Sequence, residues 1–360
     1  MNYLRSMETF LTKTPVYVIL FVTAKCNARC IMCFNWENIQ NANTRTDLTI
    51  PEIKKISKGF GRMEHLTLSG GEPSLREDLP EICRIFDKNN KVQFITFATN
   101  GLLPERVGRL VKEILLTCKH PYLKVCLSLD GLGDMYDEIR GGKGGAAKVL
   151  KTYNVLQKLK REVKDFEIQL NTTVSANNKH HIKQINQHVK EEMKEGLHNI
   201  CLTRGDAMEG ETKEVSIEEY KGVVNFMQEY INKKKKASYP FAMVIRSLKL
   251  VSRDIIINHL VTNKRTTPCK AGQRLVIIND VGDVFPCETL WDTDKMGNLR
   301  ESNYDIKKII STDRSKRIIK NINDKKCSCT FENAIQNSII YSPSMYPQIM
   351  KKLYSLYRGK

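Results

Sequence analysis

The chain has 360 residues, of which 41% are hydrophobic and 27% are charged, which is typical of a globular protein with a large buried core. Lys and Arg number 58 against 40 Asp and Glu, and this net charge of +18 favours an acidic partner or an anionic surface, unless dispersed surface lysines account for it. No apolar run is long enough to span a bilayer and the first 14 residues lack a signal-peptide core, so we expect a cytoplasmic protein.

Apolar runs and amphipathic stretches alternate along the first two thirds of the chain. Strands are predicted at 16–23, 65–69, 92–98, 122–129, 166–175 and 199–203. Helices are predicted near 51–60, 78–89, 103–117, 144–161, 178–194 and 216–233. Strands that alternate with helices in this way indicate a parallel sheet.

Three cysteines follow the first predicted strand with the spacing C-x3-C-x2-C: Cys26, Cys30 and Cys33, with Phe34 directly after them. In a cytoplasmic protein such cysteines are thiols or metal ligands rather than disulfides. Three thiolates can hold three irons of a [4Fe–4S] cluster and leave the fourth iron open to a small chelating molecule. A zinc site with a distant fourth ligand is the alternative.

Glycine-containing motifs follow the next three strands of the sheet. They are Ser69-Gly70-Gly71-Glu72-Pro73, Thr99-Asn100-Gly101 and Ser128-Leu129-Asp130-Gly131, and Arg140 follows the last of them. Each motif alone is compatible with an ordinary turn. Together, and in this order after the cysteines, they resemble the radical S-adenosylmethionine (SAM) superfamily.

The resemblance implies a partial (β/α)6 barrel of the TIM type, with its chemistry at the carboxyl ends of the strands. It implies that Cys26, Cys30 and Cys33 bind a [4Fe–4S] cluster and that Phe34 lies against the SAM adenine. It assigns the SAM amino group to Gly70, Gly71 and Glu72. The SAM carboxylate or ribose is assigned to Ser128, Arg140 and Asp130. Such an enzyme receives an electron from a reductant such as flavodoxin or ferredoxin and cleaves SAM to a 5′-deoxyadenosyl radical, which abstracts hydrogen from a substrate.

The composition changes at the lysine run 233–236, which is typical of a solvated helix end or a linker. We therefore predict a barrel domain over residues 1–235 and a second domain over residues 236–360. The second part contains four cysteines: Cys269, Cys287, Cys327 and Cys329. Between the first two, a β-hairpin is predicted with its turn at 279–282.

The spacing C-x12-G-x4-C through Gly282 is similar to the start of the SPASM and twitch extensions of radical SAM enzymes, which bind auxiliary iron–sulfur clusters. A full SPASM extension has further cysteines and two clusters, whereas four thiols suffice for one [4Fe–4S] cluster. The resemblance therefore implies a twitch-like or reduced SPASM extension with one auxiliary cluster. A structural zinc site of the same four cysteines is the alternative.

Glu288 follows Cys287 directly. In sulfatase-maturing members of the family, an acidic residue just after the matching cysteine accepts a proton from the substrate radical, so the resemblance assigns this role to Glu288. The alternative is a surface carboxylate that pairs with a lysine. The remaining cysteines are expected to be small buried apolar residues: Cys83, Cys118, Cys126 and Cys201.

The substrate is expected to be a ribosomally made peptide or a protein, as in similar enzymes with a SPASM extension. A lipid, a glycan or a nucleotide is the alternative within the same chemistry. An alternative of another class is a non-catalytic iron–sulfur or zinc protein that binds nucleic acid through its basic surface.

Overall fold

The computed structural model describes residues 8–163, 165–194, 197–233, 242–291, 293–324, 327 and 329–358. Its centre is a parallel sheet whose first strand, β1 (Tyr17–Thr23), is buried along its whole length. Five further parallel strands follow in chain order, and each pairs with the one before it: β2 (His65–Gly70), β3 (Phe94–Thr99), β4 (Tyr122–Ser128), β5 (Phe166–Val174) and β6 (His198–Leu202). The predicted strands are confirmed, and the sheet is a partial (β/α)6 barrel.

The helices lie between the strands and along the C-terminal part. In chain order they are α1 (Trp36–Gln40), α2 (Ile50–Gly59), α3 (Leu79–Asn90), α4 (Pro104–Thr117), α5 (Asp134–Arg140), α6 (Gly145–Glu162), α7 (Ile182–Glu191), α8 (Ile217–Lys233), α9 (Ala242–Thr262), α10 (Ile306–Ser311), α11 (Asp313–Asn323), α12 (Glu332–Ile340) and α13 (Tyr346–Arg358). Helix α9 packs against α8, α12 and α13. No helix among the described residues is both long and apolar enough to cross a membrane.

Helix α7 begins four residues later than its periodicity predicts. The side chain of Asn178, which is fully buried, donates hydrogen bonds to the carbonyl oxygens of Asp130 (2.8 Å) and Thr173 (2.9 Å). Its own amide oxygen accepts from the Ser175 N–H at 2.9 Å. Because these bonds hold the chain in a turn after β5, the helix cannot start before residue 182.

The C-terminal hairpin joins the barrel sheet. Strand β7 (Leu275–Ile278) pairs in parallel with β1, with Tyr17 opposite Leu275, and then turns into antiparallel β8 (Asp283–Phe285) and β9 (Gly297–Asn298). The predicted turn is confirmed. The predicted domain boundary between 235 and 236 lies outside the described residues and stays a prediction.

Candidate cofactor and metal site

The carboxyl ends of the parallel strands surround a cleft. Its wall contains all three cysteines of the first set, and most of the predicted SAM-binding residues: Cys26, Cys30, Cys33, Phe34, Gly70, Gly71, Glu72, Ser128 and Arg140. The strand order brings them together, because the carboxyl ends of neighbouring parallel strands lie at the same edge of a sheet. Asp130 is the one predicted SAM-binding residue that does not line the cleft.

The loop after β1 presents Cys26, Cys30 and Cys33 partly exposed at the cleft. Burial raises the pKa of Cys26 to about 11 and that of Cys33 to about 12, and the neighbouring Cys30 adds to both increases. Thiolates crowded in this way are stable only beside positive charge, which a bound metal supplies. Arg140 supplies part of that charge, since its Nη1 donates to the Cys30 Sγ at 3.3 Å.

The two glycines of the Gly-Gly-Glu motif allow β2 to approach the cysteine loop closely. A Cβ on Gly71 would lie 2.1 Å from the Lys25 carbonyl oxygen, and one on Gly70 would lie 2.4 Å from the Thr23 carbonyl oxygen. Gly70 also has a φ of +126°, which residues with a side chain rarely adopt. Either substitution would push the cysteine loop away from the sheet.

The carboxylate of Glu72 is 1% exposed, and protein donors bind both of its oxygens. Oε1 accepts from the Ser74 N–H at 3.0 Å and the Thr99 hydroxyl at 2.7 Å, and Oε2 accepts from the Asn100 N–H at 2.7 Å. Burial raises the pKa of Glu72, and these hydrogen bonds oppose the increase. Glu72 therefore joins the ends of β2 and β3 under the cleft, and its predicted contact with SAM stays a prediction.

Asp130 and Arg140 form a buried ion pair behind the cleft wall. The Asp130 Oδ2 contacts the Arg140 Nη2, while its Oδ1 accepts from the Thr173 N–H at 2.6 Å. Burial alone would lower the pKa of Arg140, but the charges of Asp130 and Cys30 outweigh it and raise this pKa well above its usual value. The Arg140 Nε is buried without a hydrogen-bond partner among the described residues. Asp130 thus holds Arg140 in place, and none of the described residues accepts a hydrogen bond from the Arg140 Nε.

Phe34 lies in an aromatic cluster at the cleft rim. Its ring centroid is 6.2 Å from that of Phe21 on β1 and 6.4 Å from that of Trp291, which is nearly perpendicular to it. Trp291 in turn stacks on Phe285 of β8 at 4.6 Å. The C-terminal hairpin therefore supports the aromatic wall of the cleft.

Glu288 is buried, with 7% exposure, and pairs with Arg204, which follows β6 and lines the cleft. The Arg204 Nε donates to the Glu288 Oε2 at 2.8 Å, and the Arg204 Nη2 contacts the same oxygen. The guanidinium also lies 4.8 Å from the ring centroid of Phe331. The alternative of a surface carboxylate paired with a lysine is wrong, because this carboxylate is inside the protein and its partner is an arginine.

The four C-terminal cysteines lie within electrostatic reach of one another. Burial raises the pKa of Cys287 and of Cys329 to about 12. The charge of Cys269 raises the pKa of Cys287, Cys327 and Cys329, and those of Cys287 and Cys327 add to the effect on Cys329. This soft donor set fits either an iron–sulfur cluster or zinc. In the part of the chain that the structure describes, no three His, Cys, Asp or Glu side chains converge as ligands of a single metal ion.

Two further residues of the cleft lie outside the motifs, and one of them, Cys201, differs from its prediction. Cys201 lines the cleft instead of being a fully buried apolar residue, because β6 turns this side chain inward beside Thr173. The other is Arg204, which follows β6. Its pairing with Glu288 across 84 residues of sequence has no local signal.

Comparisons with known proteins agree with this geometry. The family model described as the radical SAM superfamily matches residues 20–174. The AdoMet-dependent heme synthase of Methanosarcina barkeri is 29% identical over 312 residues, which cover 82% of each chain. A GTP 3′,8-cyclase of Alkaliphilus oremlandii is 32% identical over 152 residues, which cover 41% of this chain and 45% of that protein.

A solved structure has the same fold over nearly the whole length. Native anSMEcpe with bound AdoMet and Cp18Cys peptide superposes with a TM-score of 0.59 over 95% of this chain and 96% of that chain, at 17% identity. The common fold therefore includes the C-terminal part as well as the barrel.

Proposed function

This chain belongs to the radical SAM superfamily, and from that membership we propose that it abstracts hydrogen from a peptide or protein substrate with a 5′-deoxyadenosyl radical made from SAM. The cofactors of the family are a [4Fe–4S] cluster and SAM, and its members are enzymes. The alternative of a non-catalytic protein that binds nucleic acid is therefore dropped.

In the proposed site, Cys26, Cys30 and Cys33 bind the cluster, because they are the three thiols of the cleft loop. When bound, the cluster and SAM supply a reductive cleavage that releases the 5′-deoxyadenosyl radical. The guanidinium of Arg140 brings a positive charge beside the Cys30 sulfur. Its Nε–H would donate a hydrogen bond to the carboxylate or the ribose of SAM.

The remaining cleft residues position SAM and exclude water. Gly70 and Gly71 leave their backbone carbonyls open to the SAM amino group, and Ser128 offers its hydroxyl from the end of β4. Phe34 covers the adenine, supported by Trp291. Glu72 accepts a hydrogen bond from the Asn100 N–H and so fixes the ends of β2 and β3 next to these groups.

We place one auxiliary cluster on Cys269, Cys287, Cys327 and Cys329. The proposal is supported by their mutual electrostatic effect and by the fold that this chain shares with anSMEcpe through its C-terminal part. The electron donor that we propose is an acidic flavodoxin or ferredoxin, which the net charge of +18 would attract.

The observation that carries the proposal is that three cysteines, the Gly-Gly-Glu motif and Arg140 line one cleft. We expect the anaerobically reconstituted protein to release 5′-deoxyadenosine and methionine from SAM when dithionite is added. A variant with Cys26, Cys30 and Cys33 all changed to Ala should release none, while Cys118→Ser, outside both sets, should match the unchanged protein. Cleavage by the triple variant would refute the proposal.

The peptide substrate is tested with the peptides encoded beside the gene. A substrate peptide should increase 5′-deoxyadenosine release and should transfer deuterium from its own labelled position into that product. Labelled peptides that leave both measurements unchanged would count against a peptide substrate.

The identity of 29% over 82% of both chains favours a second candidate, a substrate related to that of the AdoMet-dependent heme synthase. Its test is the appearance of the absorption bands of haem when the enzyme is incubated anaerobically with SAM, reductant and an iron porphyrin that carries carboxylate side chains. The similarity to the GTP 3′,8-cyclase covers only 41% of this chain, so it supports the shared SAM chemistry and not a nucleotide substrate.

A further inference from the structure

Arg265 is a buried arginine that contacts one of the four C-terminal cysteines. It follows α9 and is only 5% exposed. Its Nη1 donates a hydrogen bond to the Cys327 Sγ at 3.6 Å. A buried guanidinium retains its charge, so a fixed positive charge lies beside this sulfur.

The end of α11 holds this guanidinium in place. The Arg265 Nη2 contacts the carbonyl oxygen of Ile322 and donates to that of Asn323 at 3.5 Å. These carbonyls belong to the last turn of the helix, where carbonyl oxygens carry partial negative charge. Arg265 therefore lies between the end of α11 and Cys327, which comes shortly after it.

An arginine also contacts the first cysteine set, but a buried carboxylate pairs with it. Arg140 donates to the Cys30 Sγ, but the buried carboxylate of Asp130 compensates its charge. Arg265 forms no ion pair with a carboxylate among the described residues. Asp294 is the carboxylate whose charge acts on the Cys327 thiol in the opposite direction to Arg265. The two arginines thus differ in their partners, because a buried carboxylate pairs with Arg140 at the first set and none of the described carboxylates pairs with Arg265.

We propose that Arg265 is a positioning residue that raises the reduction potential of the auxiliary iron–sulfur centre above that of the SAM-binding centre. Reduction adds negative charge to a cluster, and both a hydrogen bond to a ligand sulfur and a positive charge beside that sulfur stabilise the reduced state. The inference rests on the auxiliary cluster of the proposed function.

This difference in potential gives the extension a direction for electron flow. Oxidation of the substrate radical releases one electron and one proton. Cys269, Cys287, Cys327 and Cys329 would hold the centre that accepts the electron, and Glu288, directly after Cys287, would accept the proton. A centre with the higher potential accepts that electron downhill, while the SAM-binding centre stays at the low potential that SAM cleavage requires.

The test is a redox titration of the reconstituted protein, followed by electron paramagnetic resonance of each centre. Arg265→Met should shift the midpoint potential of the auxiliary centre to a more negative value and leave that of the SAM-binding centre unchanged. Arg265→Lys keeps the positive charge, so the midpoint potential of its auxiliary centre should stay close to that of the protein without substitutions. The control is Arg45→Met, which removes the ion pair between Arg45 and Asp280 at the turn of the C-terminal hairpin. It should shift neither potential.

The outcomes separate this inference from the proposed function. If the protein without substitutions shows no second paramagnetic centre, the auxiliary cluster itself is refuted. Two centres whose potentials are the same in the unchanged protein and in Arg265→Met would refute the role of Arg265 alone. If Arg265→Met loses iron, Arg265→Gln, which keeps an N–H donor without the charge, should show the same negative shift, and its failure to do so would overturn the inference.

Discussion

The pairing of Glu288 with Arg204 sets the chemistry available at the cleft wall. The Glu288 carboxylate is 7% exposed, and the Arg204 Nε donates a charge-assisted hydrogen bond to it at 2.8 Å. Phe331 fixes the other face of the guanidinium, and it follows Cys329 by two residues. Both cysteine segments of the extension therefore reach the same arginine of the barrel.

At this residue we expect the change Glu288→Gln to separate SAM cleavage from product formation. The amide keeps the shape of the side chain but cannot accept a proton, so product should fall by about 100-fold or more, the usual contribution of a general base. Iron content and 5′-deoxyadenosine release should stay unchanged. All three quantities can be measured in one anaerobic reaction by mass spectrometry and iron analysis.

Asp280→Asn is the matched control, because Asp280 is also a buried carboxylate of the hairpin that pairs with an arginine, Arg45. It should form product at the normal rate. Normal turnover by Glu288→Gln would show that Glu288 serves only to hold Arg204.

Among the elements, α2 is joined to the C-terminal part by one carboxylate. Glu52 closes the capping box of this helix with Thr49, and its carboxylate also accepts from the Arg300 Nε at 2.7 Å and the Tyr304 hydroxyl at 3.1 Å. The hydrogen bond from Arg300 is the main reason that the pKa of Glu52 falls from 4.5 to about 2. The carboxylate of Glu52 thus binds both the start of α2 and the C-terminal segment that contains Arg300 and Tyr304.

The lowered pKa of Glu52 predicts a pH-dependent stability. Its contribution is complete above the unfolded value of 4.5 and is lost as the pH falls from there through about 2. Glu52→Gln should lower the free energy of unfolding by about 1 kcal/mol at neutral pH, because the group is partly solvated. The difference between the two proteins should shrink at about pH 3, which urea unfolding at both pH values would measure.

Acid also releases iron, but both proteins carry the same cysteines, so this effect cancels in the comparison. A difference that stays constant from neutral to acid pH would mean that Glu52 stabilises the helix without its charge.

Elements with a local signal could be predicted from the sequence. The six parallel strands and the hairpin turn follow from apolar runs and from Gly282, whose φ is +88°. The start of α7 could not be predicted, since the buried amide of Asn178 binds carbonyls of two other segments. The pairing of β7 with β1 was equally hidden, because a fully apolar strand does not specify its neighbour.

The same division holds for the site. Cys26, Cys30, Cys33 and Arg140 could be placed by motif, and the structure brings them to one cleft. The contacts of Arg204 with Glu288 and of Arg265 with Cys327 join residues 84 and 62 positions apart. The first contact depends on the packing of the extension against the barrel and the second on packing within the extension, and no short motif encodes either.

At the scale of the whole molecule, one continuous sheet carries the first cysteine set and one cysteine of the second. The first set follows β1, and Cys287 follows β8 of the hairpin that extends the same sheet through β7. Since the strands that support each set are packed by apolar residues rather than by metal, loss of one metal centre should not unfold the support of the other.

We therefore expect two independent clusters, with about eight irons per chain in the reconstituted protein. The variant that lacks Cys26, Cys30 and Cys33 should keep about four irons and lose SAM cleavage. A variant with Ala at Cys269, Cys287, Cys327 and Cys329 should also keep about four but still release 5′-deoxyadenosine, because its cleft is intact. Iron analysis and Mössbauer spectra of the three proteins measure this. About twelve irons in the unchanged protein, or one tightly bound zinc in the C-terminal set, would contradict the assignment of a single auxiliary iron–sulfur cluster.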